Sequence, residues 1–283
     1  MCRFVLYLGP PITLDLLTTR PAFSIIHQSY KSRMREEPLN GDGFGVAWYV
    51  PSISPEPAVF RSVQPAWNNM NLRDLARVTR SSAILAHVRA ASAGTGVSEA
   101  NCHPFAVGRL TFMHNGTVPE FLRLKRTFQQ RLSDEAFSQI RGLTDSEHMF
   151  ALFHDRLTTL DDEPSTEAMA QAMESTIAEV VELVNSVEAT RHTLLNFAVC
   201  DGNQAVVSRY TSGDGEAPSL YLHTGKKYVC ENGVCHMVEA DREHQAVIIA
   251  SEPLTEERSW HPVPNNRIVL VHPDHSIEFR EIG

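Results

Sequence analysis

The order of apolar segments along the chain constrains the fold more than any other feature. Strand-like runs come first, helical patterns occupy the middle, and strand-like runs return to the end. This order predicts an α+β chain in which two sheets pack together and helices cover them outside. The predicted strands are residues 2–7, 46–50, 82–91, 110–113, 194–200, 205–210, 220–223, 246–250, 268–272 and 276–280, and the main predicted helices are residues 118–132, 144–160 and 165–186.

The first residues carry the most specific chemical signal. Removal of Met1 would leave a chain that begins with Cys2, which would then carry a thiol and a free amine on one residue. The pKa of such an amine is about 7.7–8.0 and that of the thiol about 8.5, so the amine can accept the thiol proton near neutral pH. Cys2 is therefore a candidate nucleophile with a built-in base. The alternative is an ordinary apolar cysteine that opens an edge strand.

Length and charge narrow the function classes. The chain has 283 residues and no low-complexity linker, which predicts one domain over residues 2–283. A net charge of −9 and a pI near 5.8 argue against nucleic acid or an anionic membrane as partner. The apolar run at residues 4–8 is too short for a signal peptide, and no later run is long enough to span a bilayer. A cytoplasmic location is expected.

The five cysteines do not suggest a disulfide framework. Their number is odd, their spacing irregular and the expected location reducing, so most are expected to be free thiols. Cys230, Cys235 and His236 lie close in sequence, but no second Cys or His pair stands at zinc spacing. Neither a metal nor a cofactor is expected.

Two polar features interrupt the early strands. The segment Asn-Gly-Asp-Gly-Phe-Gly at residues 40–45, which contains Asp42, precedes a strand, whereas phosphate-binding glycine loops follow one. Its glycines are expected to allow a tight turn or a close backbone approach. Arg89 ends an apolar run and needs an anionic partner, either a protein carboxylate or the carboxylate of a ligand.

Three further short segments have a structural interpretation. Asn115-Gly116 after a strand predicts a hairpin turn when considered alone. Thr144 or Asp145 is expected to cap the helix that follows. Ser251 and Glu252 end a buried strand, where they either shape a turn or contact a substrate.

Seven segments coincide, in order, with the motifs of a known family. On these motifs the chain resembles the class II glutamine amidotransferases, which are N-terminal-nucleophile hydrolases, from Cys2 to about residue 272. The resemblance is greatest to a standalone subgroup that includes the fungal glutathione-degrading γ-glutamyl amidase and the γ-glutamyl hydrolase of ergothioneine synthesis. It implies a four-layer αββα sandwich of two antiparallel sheets. The segments are residues 2–4, 40–45, 86–90, 101–105, 113–116, 144–147 and 250–254.

The resemblance also implies roles for individual residues. Cys2 matches the nucleophile, and Asn115 with Gly116 matches the oxyanion hole. Arg89 matches the group that binds the α-carboxylate of the substrate, and Asp145 the group that binds its α-ammonium. A fixed cation and a fixed anion suit the zwitterionic head of a γ-glutamyl substrate.

The remaining candidate positions are less specific. Many synthase members of the family carry threonine and then histidine a few residues after the matching arginine, where this chain has Ser92 and Ala93. Ser92 is therefore a candidate substrate contact that can donate a hydroxyl hydrogen bond. His103 and His114 are expected to hold loops by hydrogen bonds. The possible site-loop residues are Asp42, His114, Ser251 and Glu252.

These implications predict a cysteine-nucleophile amidohydrolase that cleaves a γ-glutamyl amide, with glutathione, glutamine or a related compound as substrate. The small-molecule substrate is the expected partner, and a partner protein subunit is possible. Nothing after residue 200 resembles a nucleotide-, sugar- or phosphate-binding unit that could use ammonia. One alternative is a glutaminase subunit that delivers ammonia to a separate synthase. Another is a catalytically silent interaction module.

Overall fold

Two antiparallel sheets stacked face to face form the centre of the molecule. The computed structural model describes residues 1–34, 39–91, 96–160, 164–188, 190–231, 233–239 and 245–283. The strands are β1 (Arg3–Thr13), β2 (Phe44–Val50), β3 (Ser54–Ser62), β4 (Arg80–Val88), β5 (Phe105–Val107), β6 (Leu110–Thr117), β7 (Leu194–Cys200), β8 (Ala205–Arg209), β9 (Tyr221–Gly225), β10 (Lys227–Glu231), β11 (Val234–Val238), β12 (Ala246–Ala250), β13 (His261–Pro262), β14 (Arg267–Val271) and β15 (Ile277–Glu281).

The first sheet has the strand order β13-β9-β12-β1-β4-β2-β3, and the second has the order β15-β14-β8-β7-β6-β5. The hairpin β10–β11 forms a separate two-stranded ribbon. The helices are α1 (Asp15–Thr18), α2 (Ile25–Tyr30), α3 (Met70–Val78), α4 (Phe121–Gln130), α5 (Asp134–Ser138), α6 (Asp145–Thr158) and α7 (Thr166–Val187).

Three apolar clusters define four layers. One cluster joins α4, α6 and α7 to the second sheet, and another joins α1, α2, α3 and the β10–β11 ribbon to the first. The third lies between the two sheets and contains residues of both. The four-layer αββα sandwich implied by the family resemblance is thereby confirmed.

Strand β1 lies at the middle of the first sheet, and both of its faces are buried. Phe4 and Leu6 point into the layer between the sheets, whereas Val5 and Tyr7 pack toward the helices. Such a strand is expected to be a continuous apolar run, as this one is. Its antiparallel pairing with β4 and β12 carries the chain's first residues to one end of the sheet stack.

Most of the predicted elements are present, with shifts of a few residues at their ends. Strands β7 and β12 coincide with the predicted ranges, and α7 carries the expected apolar stripe into the core. The predictions missed α2, α3, α5, β3, β5 and β13. Strand β3 begins Ser-Pro-Glu-Pro and lies at the sheet edge with much of its surface exposed, so its sequence lacks the apolar periodicity of a buried strand.

The expected hairpin turn at Asn115-Gly116 is wrong. Strand β6 continues through both residues to Thr117, with Asn115 opposite Asn196 and Gly116 opposite Leu195 on β7. The register with β7 extends through this segment, so tertiary context overrides the local turn preference.

Most of the cysteines are free thiols, as expected, and Cys230 and Cys235 are the exception. The two residues face each other across the β10–β11 ladder and form a disulfide. Cys2, Cys102 and Cys200 are free thiols. Of the helices in the described ranges, none is long and apolar enough to cross a membrane.

Candidate active site

Cys2 lies where β1 begins, beside the end of β4. Arg3 pairs with Val88, so the ladder carries Cys2 next to the Arg89–Ala90 segment, and its Sγ lies 3.7 Å from the carbonyl oxygen of Ala90. Burial raises the pKa of the Cys2 thiol. The positive charge of Arg89 lowers this pKa and the negative charge of Asp145 raises it, so both predicted recognition residues act on the sulfur.

The backbone of Cys2 is held by a buried ion pair. Nε of Arg3 lies 2.6 Å from Oε1 of Glu252, and both side chains are 2% exposed. Nη1 of Arg3 donates to the carbonyl oxygen of Cys2 at 2.9 Å. The carboxylate of Glu252 also accepts hydrogen bonds from the backbone N–H groups of Arg33 and Met34, at 2.9 and 3.2 Å, and from the hydroxyl of Ser32.

Glu252 is therefore anionic despite its position. Burial alone would raise its pKa, but the hydrogen bond from Ser32, the charge of Arg3 and the N–H of Arg33 together lower it. Ser251 also binds the start of β1. Its N–H donates to the carbonyl of Phe4 at 2.9 Å, and its Oγ accepts from the N–H of Phe4 at 3.0 Å. Both residues thus anchor the strand that carries Cys2.

Arg89 is buried and faces a loop carbonyl. Both of its terminal nitrogens lie 3.1 Å from the carbonyl oxygen of Gly96, and Nη1 also lies 3.5 Å from the carbonyl oxygen of Asp42. The Oδ2 atom of the Asp42 carboxylate accepts the N–H of Ala91 at 2.8 Å. Asp42 therefore fastens the backbone that follows Arg89. Ser92 lies outside the described residues.

Asn115 is a fully buried amide without a hydrogen-bond partner in the described structure. Neither its Nδ2 nor its Oδ1 is satisfied, although buried side-chain amides are nearly always paired. Strand β6 packs against β1, and Asn115 shares with Met113 the face of β6 that points into the layer between the sheets. At Gly116 a Cβ atom would collide with the carbonyl of Leu194 and the ring of His114, so only glycine fits.

Asp145 is the first residue of α6 and not its cap. The cap is Thr144, whose side chain accepts the N–H of Glu147 at 3.2 Å. The half-buried carboxylate of Asp145 accepts the N–H groups of Ser146 and Val118 at 2.8 and 3.2 Å. A carboxylate in the first turn of a helix is also stabilised by the helix dipole.

The nearby histidines are neutral. His114 Nδ1 lies 3.0 Å from the Ser146 hydroxyl and Nε2 lies 3.2 Å from the Leu194 carbonyl, and burial lowers its pKa against the opposing charge of Asp145. Burial likewise lowers the pKa of His87 to about 3. His103 stacks on His87 with ring centroids 4.1 Å apart, but its ring nitrogens have no hydrogen-bond partner in the described structure. The expectation of hydrogen bonding thus holds for His114 and is wrong for His103.

The role of Arg3 and Glu252 in holding Cys2 was missed from sequence. The only available signal was an arginine directly after the candidate nucleophile and an acid at the end of a buried strand, and nothing local indicated that they meet. Within the described residues there is no group of three or more His, Cys, Asp or Glu side chains that could hold a metal ion.

Comparison with known proteins shows the family of the chain. The family model described as class II glutamine amidotransferases matches residues 16–279. The chain is 44% identical over 301 residues to the probable glutamine amidotransferase DUG3 of Saccharomyces cerevisiae, covering 96% of this chain and 84% of that protein. It is 27% identical over 278 residues to the γ-glutamyl-hercynylcysteine sulfoxide hydrolase of Mycolicibacterium smegmatis, covering 98% of each.

Solved structures lead to the same family. A glutamine aminotransferase class-II domain protein from Silicibacter pomeroyi superimposes with a TM-score of 0.67 at 29% identity, over the full length of both chains. The glutamine phosphoribosylpyrophosphate amidotransferase of B. subtilis, at 10% identity, shares the fold over 49% of its length with a TM-score of 0.61. The chain belongs to the class II glutamine amidotransferases. The two named relatives confirm the subgroup that the motifs indicated.

Proposed function

We propose that this chain hydrolyses the amide bond of a γ-glutamyl compound through a thioester on Cys2, after Met1 has been removed. The observation that carries the proposal is the position of the Cys2 thiol, whose Sγ lies 3.7 Å from the carbonyl oxygen of Ala90, directly after the buried Arg89. Asp145 is near enough for its negative charge to raise the pKa of this thiol, and Arg89 lowers it. A γ-glutamyl group presents a carboxylate and an ammonium on one carbon, with the scissile carbonyl further along the chain. The charges suit this head, and the thiol suits this carbonyl.

The first chemical step forms the bond between Sγ and the γ-carbonyl carbon. Burial raises the pKa of the thiol, so a base must remove its proton, and the α-amine of processed Cys2 is the base that the residue itself supplies. His114 is engaged by Ser146 and Leu194 and is not required for this step. When the C–N bond breaks, the protonated amine returns the proton to the leaving nitrogen.

The second step is attack of water on the thioester, which releases glutamate and regenerates the thiol. Each tetrahedral intermediate carries an oxyanion. The unpartnered amide of Asn115 can donate to this oxyanion through Nδ2 without first breaking another hydrogen bond of the described structure. Preorganised donors of this kind typically contribute about 2.7–4 kcal/mol to a barrier. We assign the second donor to the backbone N–H of Gly116.

The names of the relatives support this substrate class. One relative is named a probable glutamine amidotransferase and the other a γ-glutamyl-hercynylcysteine sulfoxide hydrolase, so both names refer to γ-glutamyl chemistry. We include glutathione, glutamine and related γ-glutamyl compounds in the proposal. A cytoplasmic location also stays a prediction.

The proposal is tested by substrate comparison on a preparation of known intact mass. Free glutamate, or the deaminated product, is measured with glutamine, glutathione, an α-linked glutamyl peptide and a γ-linked analogue that lacks the α-amine. We expect turnover only of γ-linked compounds that carry both charges, because removal of one charge forfeits the attraction to Arg89 or to Asp145. Comparable rates for the α-linked or deaminated compounds would contradict the proposal. Turnover of glutamine alone would favour a glutaminase subunit.

A further inference from the structure

We propose that Asn101 is a positioning residue that sets the separation between Arg89 and Asp145 and so determines how strictly the site selects the charged head of its substrate. The inference rests on the proposed function and extends it to a residue that touches no substrate. Asn101 is 2% exposed and ends a short turn at Glu99–Asn101. Its side chain bridges the two segments that carry the recognition charges.

One side of the bridge leads to Arg89. Nδ2 of Asn101 lies 3.4 Å from the carbonyl oxygen of Gly96, and this same oxygen accepts both terminal nitrogens of Arg89 at 3.1 Å. Two donors of one guanidinium on a single oxygen fix the plane of the group as well as its position. A shift of the Asn101 side chain would therefore reorient the Gly96 carbonyl and move the Arg89 guanidinium that donates to it.

The other side of the bridge leads to Asp145. Oδ1 of Asn101 accepts the N–H of Leu143 at 2.9 Å. The two preceding N–H groups, of Arg141 and Gly142, donate to the carboxylate of Glu147 at 2.9 and 2.6 Å. Three successive N–H groups are thus held by two buried side chains, directly before the cap and first residue of α6. These hydrogen bonds restrict the backbone conformation of residues 141–143, which precede Thr144 and Asp145.

Packing prevents the two segments from approaching further. A Cβ atom on Gly142 would lie 2.5 Å from Oδ1 of Asn101, 2.8 Å from the carbonyl oxygen of Ala100 and 2.8 Å from Oε2 of Glu147. The turn is therefore in close contact with Asn101, and the hydrogen bonds prevent the two segments from moving apart. An ammonium and a carboxylate on one carbon have a fixed spacing, so a pair of counter-charges held at a fixed spacing selects for both together.

The test compares two probes that differ only in the α-amine: γ-glutamyl-p-nitroanilide and glutaryl-p-nitroanilide. The ratio of their kcat/KM values measures selection of the head, and a general loss of folded protein does not change it. Asn101→Ala is expected to lower this ratio about 10-fold or more, because small displacements of positioning groups cost up to about 100-fold in rate. Asn101→Asp keeps an acceptor for Leu143 and loses the donor to Gly96, so it should give an intermediate ratio and covers the case in which Asn101→Ala does not fold.

Asn69 provides the matched control. It is also a buried asparagine that accepts a backbone N–H, from Leu72 at 2.8 Å, and donates to a side chain, Gln64 Oε1, at 3.2 Å, but it caps α3 in the outer layer. Asn69→Ala should lose stability and keep the wild-type ratio. The inference is overturned if both Asn101 variants keep the wild-type ratio while Asp145→Asn reduces the ratio to about one. That result leaves the proposed function standing. A wild-type enzyme that cleaves both probes equally overturns both.

Discussion

Arg3 and Glu252, which lie at opposite ends of the sequence, form a buried ion pair with 2.6 Å between Nε and Oε1, and the same arginine donates to the carbonyl oxygen of Cys2. The pair joins the start of β1 to the segment after β12. It positions Cys2, the candidate nucleophile, by holding the backbone at the Cys2 carbonyl. Loss of this pair is therefore expected to affect both stability and activity.

We expect Glu252→Gln to lower the free energy of unfolding by about 3–5 kcal/mol, because the buried charge of Arg3 loses its partner. Urea unfolding measures this change. The control is Glu167→Gln, which breaks an ion pair with Arg280 of the same 2.6 Å length at the surface. Its expected loss is within about 1 kcal/mol, since exposed pairs contribute little. Equal losses in the two variants would show that the Arg3–Glu252 pair does not anchor the site.

Substitution of Asn115 is expected to affect catalysis more than stability. Asn115→Ala is expected to lower kcat about 10²–10³-fold, as loss of one oxyanion donor does. It breaks no hydrogen bond of the described structure, so the stability loss should be limited to the small cavity that the truncation leaves. Asn196 lies opposite on β7, and its Nδ2 donates to the carbonyl of Pro218 at 2.7 Å.

Asn196→Ala should show the reverse result: kcat is retained, and the lost hydrogen bond costs about 0.5–1.5 kcal/mol of stability in addition to a similar cavity. The Pro218 carbonyl keeps a second donor, Nε of Arg209, at 3.1 Å. Thermal or urea unfolding and single-turnover kinetics on both variants give the comparison. If Asn115→Ala unfolds the protein and leaves kcat unchanged, the amide is structural and the oxyanion assignment is wrong.

Removal of Met1 is required by the proposed base. We expect that active enzyme has an intact mass without Met1 and that protein produced with methionine aminopeptidase inhibited is inactive, because acylation removes the basicity of the Cys2 nitrogen. Cys2→Ser should lose most activity, while Cys102→Ser, Cys200→Ser and Cys230→Ser should retain it. Full activity in a preparation that still contains Met1 would eliminate this mechanism.

The buried histidines predict how stability depends on pH. Burial lowers the pKa of His87 from its ordinary 6.5 to about 3. Between these values the unfolded chain binds a proton that the folded chain does not, so stability rises with pH and is lost as the pH falls below 6.5. One such group gives a slope of up to about 1.4 kcal/mol per pH unit in this window.

His87→Phe should reduce the slope of unfolding free energy against pH between about pH 6 and about pH 4, measured in urea at several pH values. His261→Gln is the control, since this histidine is exposed on a short edge strand. His148, whose pKa burial lowers to about 4, maintains part of the slope in the His87 variant. A slope unaltered by His87→Phe would contradict a neutral buried ring at this position.

The sequence by itself determined the order of elements and the family. Continuous apolar runs predicted the buried strands, the stripe on residues 165–186 predicted α7, and seven short motifs in order indicated a class II glutamine amidotransferase. These signals are local: each depends on periodicity or on a few adjacent residues, so it survives without knowledge of the fold. Cys2, Arg89, Asn115 and Asp145 were candidates on the same basis.

Only the tertiary structure decided which residues meet. Asn115-Gly116 became part of a strand because β7 pairs with it, against its local preference for a turn. Glu252 became the partner of Arg3, and Asn101 a link between two loops, because the two sheets and their end loops stack at one edge of the molecule. Contacts between segments so distant in sequence depend on the register of whole strands and on close packing, and no local pattern encodes either of these.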